Sequence, residues 1–366
     1  MKKIVVATDS FKGTLSSKMA GEIISRAIRD EIPRCSVCRV GIADGGEGTV
    51  DALGAKKVKV VVTGPNFRPV PSFYGVLGDR AVIELAAAAG LTLADPADPL
   101  VTTTYGVGEL ILHALDSGFR KITVAVGGSA TNDLGCGIAA ACGAVFYDID
   151  GKPFIPVGAT LGDIASFDLS GLDKRLPLSE ITVMCDVTNP LFGESGAAYV
   201  FAPQKGADAD GVLALDRGLR HAAGLIEKTL GIPVSDIPGS GAAGGCGAGL
   251  LAFFGAGLNS GIDAVLDAVR FDELVEDADL VITGEGRFDS QSSGGKTVSG
   301  VTERASRARI PVAVICGSAD PSASLPGVVS VFAVVGGEIS KETSLAEPEK
   351  YLYLTARRAI KSLIEK

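Results

Sequence analysis

Tryptophan is absent from this chain, aromatic residues make up only 5% of it, and its 366 residues include just two histidines. With so few aromatic anchors, order must come from tight turns and close backbone approaches, which 48 glycines make possible. The histidines, His113 and His221, stand far from Cys35-x-x-Cys38, so that cysteine pair lacks the second half of a zinc site. Seven scattered cysteines, an odd number, do not form a secreted disulfide scaffold and read as small core residues of a reducing compartment. Positive charge is also scarce: 34 Lys and Arg face 43 Asp and Glu, a net charge of -9. This argues against nucleic-acid or anionic-membrane partners, and a site for an acidic substrate must gather its cations locally. No apolar run reaches membrane-spanning length. The opening Met1-Lys2-Lys3 followed by Ile4-Val5-Val6-Ala7 is too short for a signal-peptide core, so a soluble cytoplasmic protein is expected.

What is present is a chain 46% hydrophobic and long enough for two domains. Residues 4–7 read as a buried strand, and Ser16 as the cap of a helix that ends before Pro33. A second strand is expected at 37–42. Runs at 58–62, 70–76 and 81–85, split by Gly64-Pro65 and Gly78-Asp79, read as hairpins. A helix at 105–116, a strand at 121–126 and a short apolar helix at 137–141 follow, then a hairpin turn at Asp150-Gly151. Beyond a strand at 181–185 and a helix at 210–230, the alternation returns with strands at 279–283, 311–316 and 328–334 and helices at 298–307 and 349–366. A wound pattern at both ends around a mixed middle predicts an α/β protein of two domains. The expected layout is a discontinuous Rossmann- or flavodoxin-like domain, residues 1–60 plus 273–366, with a mixed α/β domain, 61–272, inserted into it.

The chemistry-bearing residues cluster after strands, at the sheet edge where open α/β proteins bind ligands. Gly127-Gly128-Ser129-Ala130-Thr131-Asn132-Asp133 runs from an apolar strand through side-chain-poor loop into a helix, a junction whose exposed N–H groups suit phosphate, although an ordinary turn reads the same way. Asp44-Gly45-Gly46-Glu47-Gly48-Thr49 places two carboxylates after another strand, able to orient hydroxyls or hold a metal, or merely to solvate a turn. In Asp9-Ser10-Phe11-Lys12-Gly13 a lysine beside a serine suits an anionic substrate, and Arg68, held between prolines, can clamp a carboxylate. Asp186, at a strand end before Thr188-Asn189-Pro190, can accept a hydroxyl proton or simply form the turn.

Two nucleotide signatures are incomplete. Residues 290–297 end like a P-loop in Gly294-Gly295-Lys296-Thr297 but carry Ser290 where its first glycine belongs. Gly239-Ser240-Gly241-Ala242-Ala243-Gly244 matches G-x-G-x-x-G, with Asp263 near the acidic distance, yet Pro233 and Pro238 break the strand that should precede it.

Together with Thr102-Thr103-Thr104-Tyr105-Gly106, Pro203-Gln204-Lys205-Gly206-Ala207 and Thr283-Gly284-Glu285-Gly286-Arg287, these segments resemble the bacterial glycerate kinase family, glycerate 2-kinase type, over nearly the whole chain. Leu134 after Asn132-Asp133 and Ser290 after Asp289 depart from the glycines expected there. The resemblance implies ATP, Mg²⁺ and D-glycerate, giving 2-phosphoglycerate and ADP, in a monomer or homodimer. On the matched motifs, Gly127, Gly128, Ser129, Thr131, Asn132, Asp133 and Lys205 are expected at the ATP phosphates. Ser10, Lys12, Arg68, Glu285 and Arg287 are expected at glycerate. Asp186 is the first candidate for hydroxyl base and Asp44 the second, with Lys12 balancing charge. Asp44, Glu47 and Asp289 are candidate Mg²⁺ holders. Two other classes stay open: an NAD(P)-dependent oxidoreductase using the Gly239 loop, and a non-catalytic protein that binds a small acid.

Overall fold

The computed structural model describes residues 1–11, 14–42, 45–46, 48–185, 187–289, 297–337 and 339–365. The protein is mixed α/β, with parallel sheets and helices, and its chain divides into two compact units. One comprises residues 1–44, 51–54 and 262–366; the other comprises 45–50 and 55–261. The changeovers fall at 54/55 and 261/262, before positions 60 and 272; the first is set by strand Lys56–Thr63, which pairs along its whole length with Pro69–Leu77 in the second unit's sheet.

The first unit is built on five parallel strands in the order Val328–Ala333, Val312–Cys316, Leu280–Gly284, Lys3–Thr8, Ser36–Gly41. The near-continuous apolar sequences of the three interior strands follow from burial on both faces. On Val312–Cys316 the period-two alternation sends Ala313 and Ile315 into one core and Val314 and Cys316 into another. The first core is closed by helices Ser17–Glu31 and Pro348–Ile364, through Ile24, Ile28, Leu352 and Ile360. The second is closed by helix Thr297–Arg307 through Val298. Ser16 caps its helix as expected, accepting from Met19 N at 3.2 Å. The unit's first strand lies between its second and third, so the winding direction reverses between Lys3–Thr8 and Leu280–Gly284.

The second unit carries a six-stranded sheet in the order Gly257–Asn259, Glu180–Met184, Lys121–Ala125, Arg80–Glu84, Pro69–Leu77, Lys56–Thr63. The first four strands are parallel, and the last two join as the expected antiparallel hairpins. Helix Tyr105–Asp116 packs Val107, Leu110 and Ile111 onto this sheet. A smaller sheet of Val145–Tyr147, Pro153–Phe154 and Ser166–Asp168 shares a further core with helix Ala209–Leu230. Among the described residues, no helix is long and apolar enough to cross a membrane.

Candidate active site

Within the first unit, the residues singled out from sequence gather where the winding reverses, the position at which open α/β sheets take ligands. Asp9 follows Lys3–Thr8, and its backbone N–H donates to Gly284 O at 2.9 Å, coupling the two strand ends. Its carboxylate accepts from Ser10 N at 2.6 Å and from Thr297 Oγ1 at 3.0 Å, tying Ser10 to the start of helix Thr297–Arg307. The turn after Leu280–Gly284 is pinned by Gly317 N on Glu285 O and Ser318 N on Gly286 O, both 3.1 Å. A side chain at Gly284 would meet Ile315 O at 1.9 Å, so only glycine allows this backbone approach. Glu285 is half-buried and Arg287 is exposed, its Nε 3.2 Å from Asp289 Oδ2. The candidate metal holder Asp289 is therefore engaged by a candidate substrate cation.

In the second unit, the glycine turn leaves the carboxyl end of Lys121–Ala125. Gly127 N donates to Gly45 O at 3.0 Å, and a Cβ at Gly127 would lie 2.7 Å from Gly46 Cα. The two glycine-rich motifs thus touch backbone to backbone. Gly127 and Gly128 reach the surface, but Ser129, Thr131, Asn132 and Asp133 are turned into the unit's interior. The phosphate cradle expected over the whole run is reachable only at its first two residues, because the rest of the turn packs against the backbone of Gly244 and Ala89.

Lys205 is buried behind this turn, donating from Nζ to Ser129 Oγ at 2.8 Å and to Thr131 O at 2.7 Å. It braces the turn from within rather than pointing outward. Burial lowers its pKa to about 8, although Asp133 and Cys246 pull the other way. Burial likewise raises Asp133, against hydrogen bonds from Thr104 N and Oγ1, both 2.8 Å, and from Gly135 N and Gly137 N. Thr103 N in turn donates to Pro65 O at 3.0 Å, which links this network to the turn carrying Arg68. Gly64 N closes that turn on Arg68 O at 2.7 Å, and the Arg68 side chain is exposed with no hydrogen bond or ion pair among the described residues. An exposed guanidinium on a closed turn can bind a carboxylate without first breaking an internal bond.

Thr131 Oγ1 and both amide atoms of Asn132 are buried without a hydrogen-bond partner among the described residues. Such groups normally find one in protein, water or ligand. Their donors and acceptors, close to the exposed backbone of Gly128, fit a polar guest better than an apolar one. Among the described residues no group of three or more His, Cys, Asp or Glu is placed to hold a metal. Lys12, Asp44, Glu47, Asp186 and Lys296 lie outside the described residues.

As Pro233 and Pro238 led one to expect, no strand precedes the Gly239 loop: residues 231–239 hold neither helix nor strand. Its glycines serve close packing instead, with a Cβ at Gly241 falling 2.2 Å from Pro190 O and one at Gly244 falling 2.2 Å from Thr131 O. Buried backbone offers no seat for a pyrophosphate. None of the seven cysteines is disulfide-bonded, and burial drives the Cys136 and Cys246 thiols well above their ordinary range, which keeps them inert.

Sequence reasoning missed Glu84, a carboxylate that is 2% exposed at the end of strand Arg80–Glu84 and accepts from Val50 N at 2.6 Å and Gly48 N at 3.1 Å. A glutamate closing the apolar run 81–83 was the signal available. Asp9 was quoted within a motif but given no role of its own.

A profile of the glycerate kinase family matches residues 4–364. The chain is 46% identical to the glycerate kinase of Bacillus subtilis strain 168, covering 97% of this chain and 96% of that one. It is 46% identical to the glycerate 2-kinase of Escherichia coli K12, covering 91% and 90%. Its fold superposes with a TM-score of 0.88 on the crystal structure of a protein identified as glycerate kinase 2 from Salmonella typhimurium LT2, at 45% identity over 100% and 98% of the two chains. The chain belongs to the glycerate kinase family and is a kinase.

Proposed function

We propose that this kinase transfers the terminal phosphate of ATP to D-glycerate, releasing 2-phosphoglycerate and ADP. The observation that carries the reading is the glycine turn at the carboxyl end of Lys121–Ala125, open at Gly127 and Gly128 and braced from within by Lys205. Phosphoryl transfer asks for positioning and charge neutralisation more than for covalent help, and a braced turn with its backbone exposed at Gly128 is suited to positioning a phosphate. Glycerate carries a carboxylate, to which an exposed guanidinium is suited, Arg68 in the second unit or Arg287 in the first unit, which also carries the Ser10 turn. Asp186, two residues past strand Glu180–Met184, is assigned as the hydroxyl base with Asp44 as the second choice, and Lys12 is assigned to charge balance.

Mg²⁺ would supply charge neutralisation at the phosphates. Asp44 and Glu47 are its assigned holders; Asp289 is the weaker candidate, since Arg287 already engages it. In the first unit, the reversal of winding between Lys3–Thr8 and Leu280–Gly284 is that of a flavodoxin-like sheet, which supports a discontinuous wound domain interrupted by a mixed α/β one. The charge balance and seven cysteines without a disulfide suit the cytoplasm.

The test is incubation with ATP, Mg²⁺ and D-glycerate, with the product resolved by ³¹P and ¹³C NMR. Formation of 2-phosphoglycerate together with ADP is expected. Absence of any phosphoglycerate would overturn the reading, and 3-phosphoglycerate would overturn its regiochemistry.

A further inference from the structure

We infer that Glu84 is a positioning residue whose buried carboxylate holds the 45–50 turn against the glycine turn at Gly127. Glu84 ends an interior strand of the second unit's sheet, in register with Ala125, two residues before Gly127. Burying a carboxylate at that point is costly unless hydrogen bonds compensate it, and apolar packing alone would be met by valine or leucine. The compensation comes from Val50 N and Gly48 N, backbone donors at the start of the four-residue helix Thr49–Ala52. At the other end of the same turn, Gly127 N holds Gly45 O. Gly45 at one end of this stretch and Gly48 and Val50 at the other are thus fastened by two neighbouring strand ends, one through the backbone and one through a side chain.

This fastening matters because of what the segment is. Residues 45–50 belong to the second unit while the residues on either side, up to 44 and from 51 to 54, belong to the first. So short an excursion has little apolar surface with which to keep its place, with only Thr49 and Val50 of its helix buried. The polar anchors must do most of the holding. Glutamate at position 84 therefore sets where this turn lies beside Gly127 and Gly128. The kinetic consequence rests on the function proposed above; the structural one does not.

The test compares the full chain with Glu84→Gln, which keeps the side chain's shape but presents an NH₂ group to a backbone donor. Hydrogen exchange at Gly48 and Val50 is expected to quicken on the order of 10- to 100-fold, the loss of a charge-assisted bond. Turnover with ATP and glycerate is expected to fall on the order of 10- to 100-fold while KM for each stays within about twofold, because a displaced turn misplaces reacting groups without removing their binding contacts. Unchanged exchange overturns the inference, and so does faster exchange with unchanged kcat. If the wild-type chain itself makes no phosphoglycerate, the proposed function fails, while exchange at 45–50 still decides whether Glu84 holds the turn. Glu84→Asp, which withdraws the carboxylate by one methylene, serves if the glutamine variant does not fold, and unchanged exchange there overturns the inference equally.

Discussion

At Lys205, a charged group is held where water cannot reach it, and the sequence around it, Pro203-Gln204-Lys205-Gly206, shows only that a lysine precedes a left-handed glycine. Its two hydrogen bonds go to neutral acceptors, so desolvation outweighs them and the pKa falls to about 8 from 10.5. The sign for stability follows. Between pH 8 and 10.5 the unfolded chain binds the proton that the folded chain has released, so this group's contribution to stability rises with pH through that window. Lys205→Met, which fills the same space without the charge, should remove that rising component. Urea titrations from pH 7 to pH 10.5 would measure it as the difference between wild type and variant, and identical pH slopes would refute the assignment. The same variant leaves Ser129 Oγ and Thr131 O without their donor, so turnover should drop by about tenfold or more as the glycine turn loosens.

Among the elements, helix Ala242–Phe254 has the least ordinary start, because Ala243, Gly244 and Gly245 all take positive φ before regular helix begins. Gly244 has φ +69 and faces Thr131 O and Asn132 Cα at 2.2 and 2.4 Å from where a Cβ would stand. Gly255, which ends the same helix, has φ +66 and nothing within 4 Å. The pair separates conformational cost from steric cost. Gly255→Ala should lose about 1–2 kcal/mol, and Gly244→Ala about 2–5 kcal/mol, since overpacking adds to the same backbone penalty. Equal losses in urea unfolding would show that the close approach to the glycine turn is not tight.

The contrast also explains what could be read in advance. The absence of a strand before Gly239 was legible from Pro233 and Pro238, and helix Tyr105–Asp116 was legible to its ends from apolar spacing. That Gly244 presses on Thr131, or that Glu84 reaches Val50, was not, because such partners are separated by long stretches of chain and leave no local period. Strands Gly257–Asn259 and Arg287–Phe288 escaped for the same reason, being defined only by the distant strands beside them.

Over the whole molecule, the alternation of strand and helix at both ends announced parallel sheet with covering helices, while the order of the strands was not encoded in any pattern of residues. That order arises from which helix covers which face, and it brings Asp9 beside Gly284 across 275 positions of sequence. The first unit's principal core draws on residues 4–37 and 280–363, with Ile24 and Ile28 among its fully buried members. The cores beneath the glycine turn draw on residues from 58 to 258. Ile24→Ala removes a fully buried side chain from the first set, at a cost of about 2–5 kcal/mol. Because it shares its core with strands Lys3–Thr8, Leu280–Gly284 and Val312–Cys316, those amides should lose hydrogen-exchange protection first in the variant, with Arg80–Glu84 and Lys121–Ala125 keeping theirs under the same conditions. Equal loss of protection in both sheets would instead mean that the chain unfolds as one cooperative body, and that its two cores are not separate units of stability.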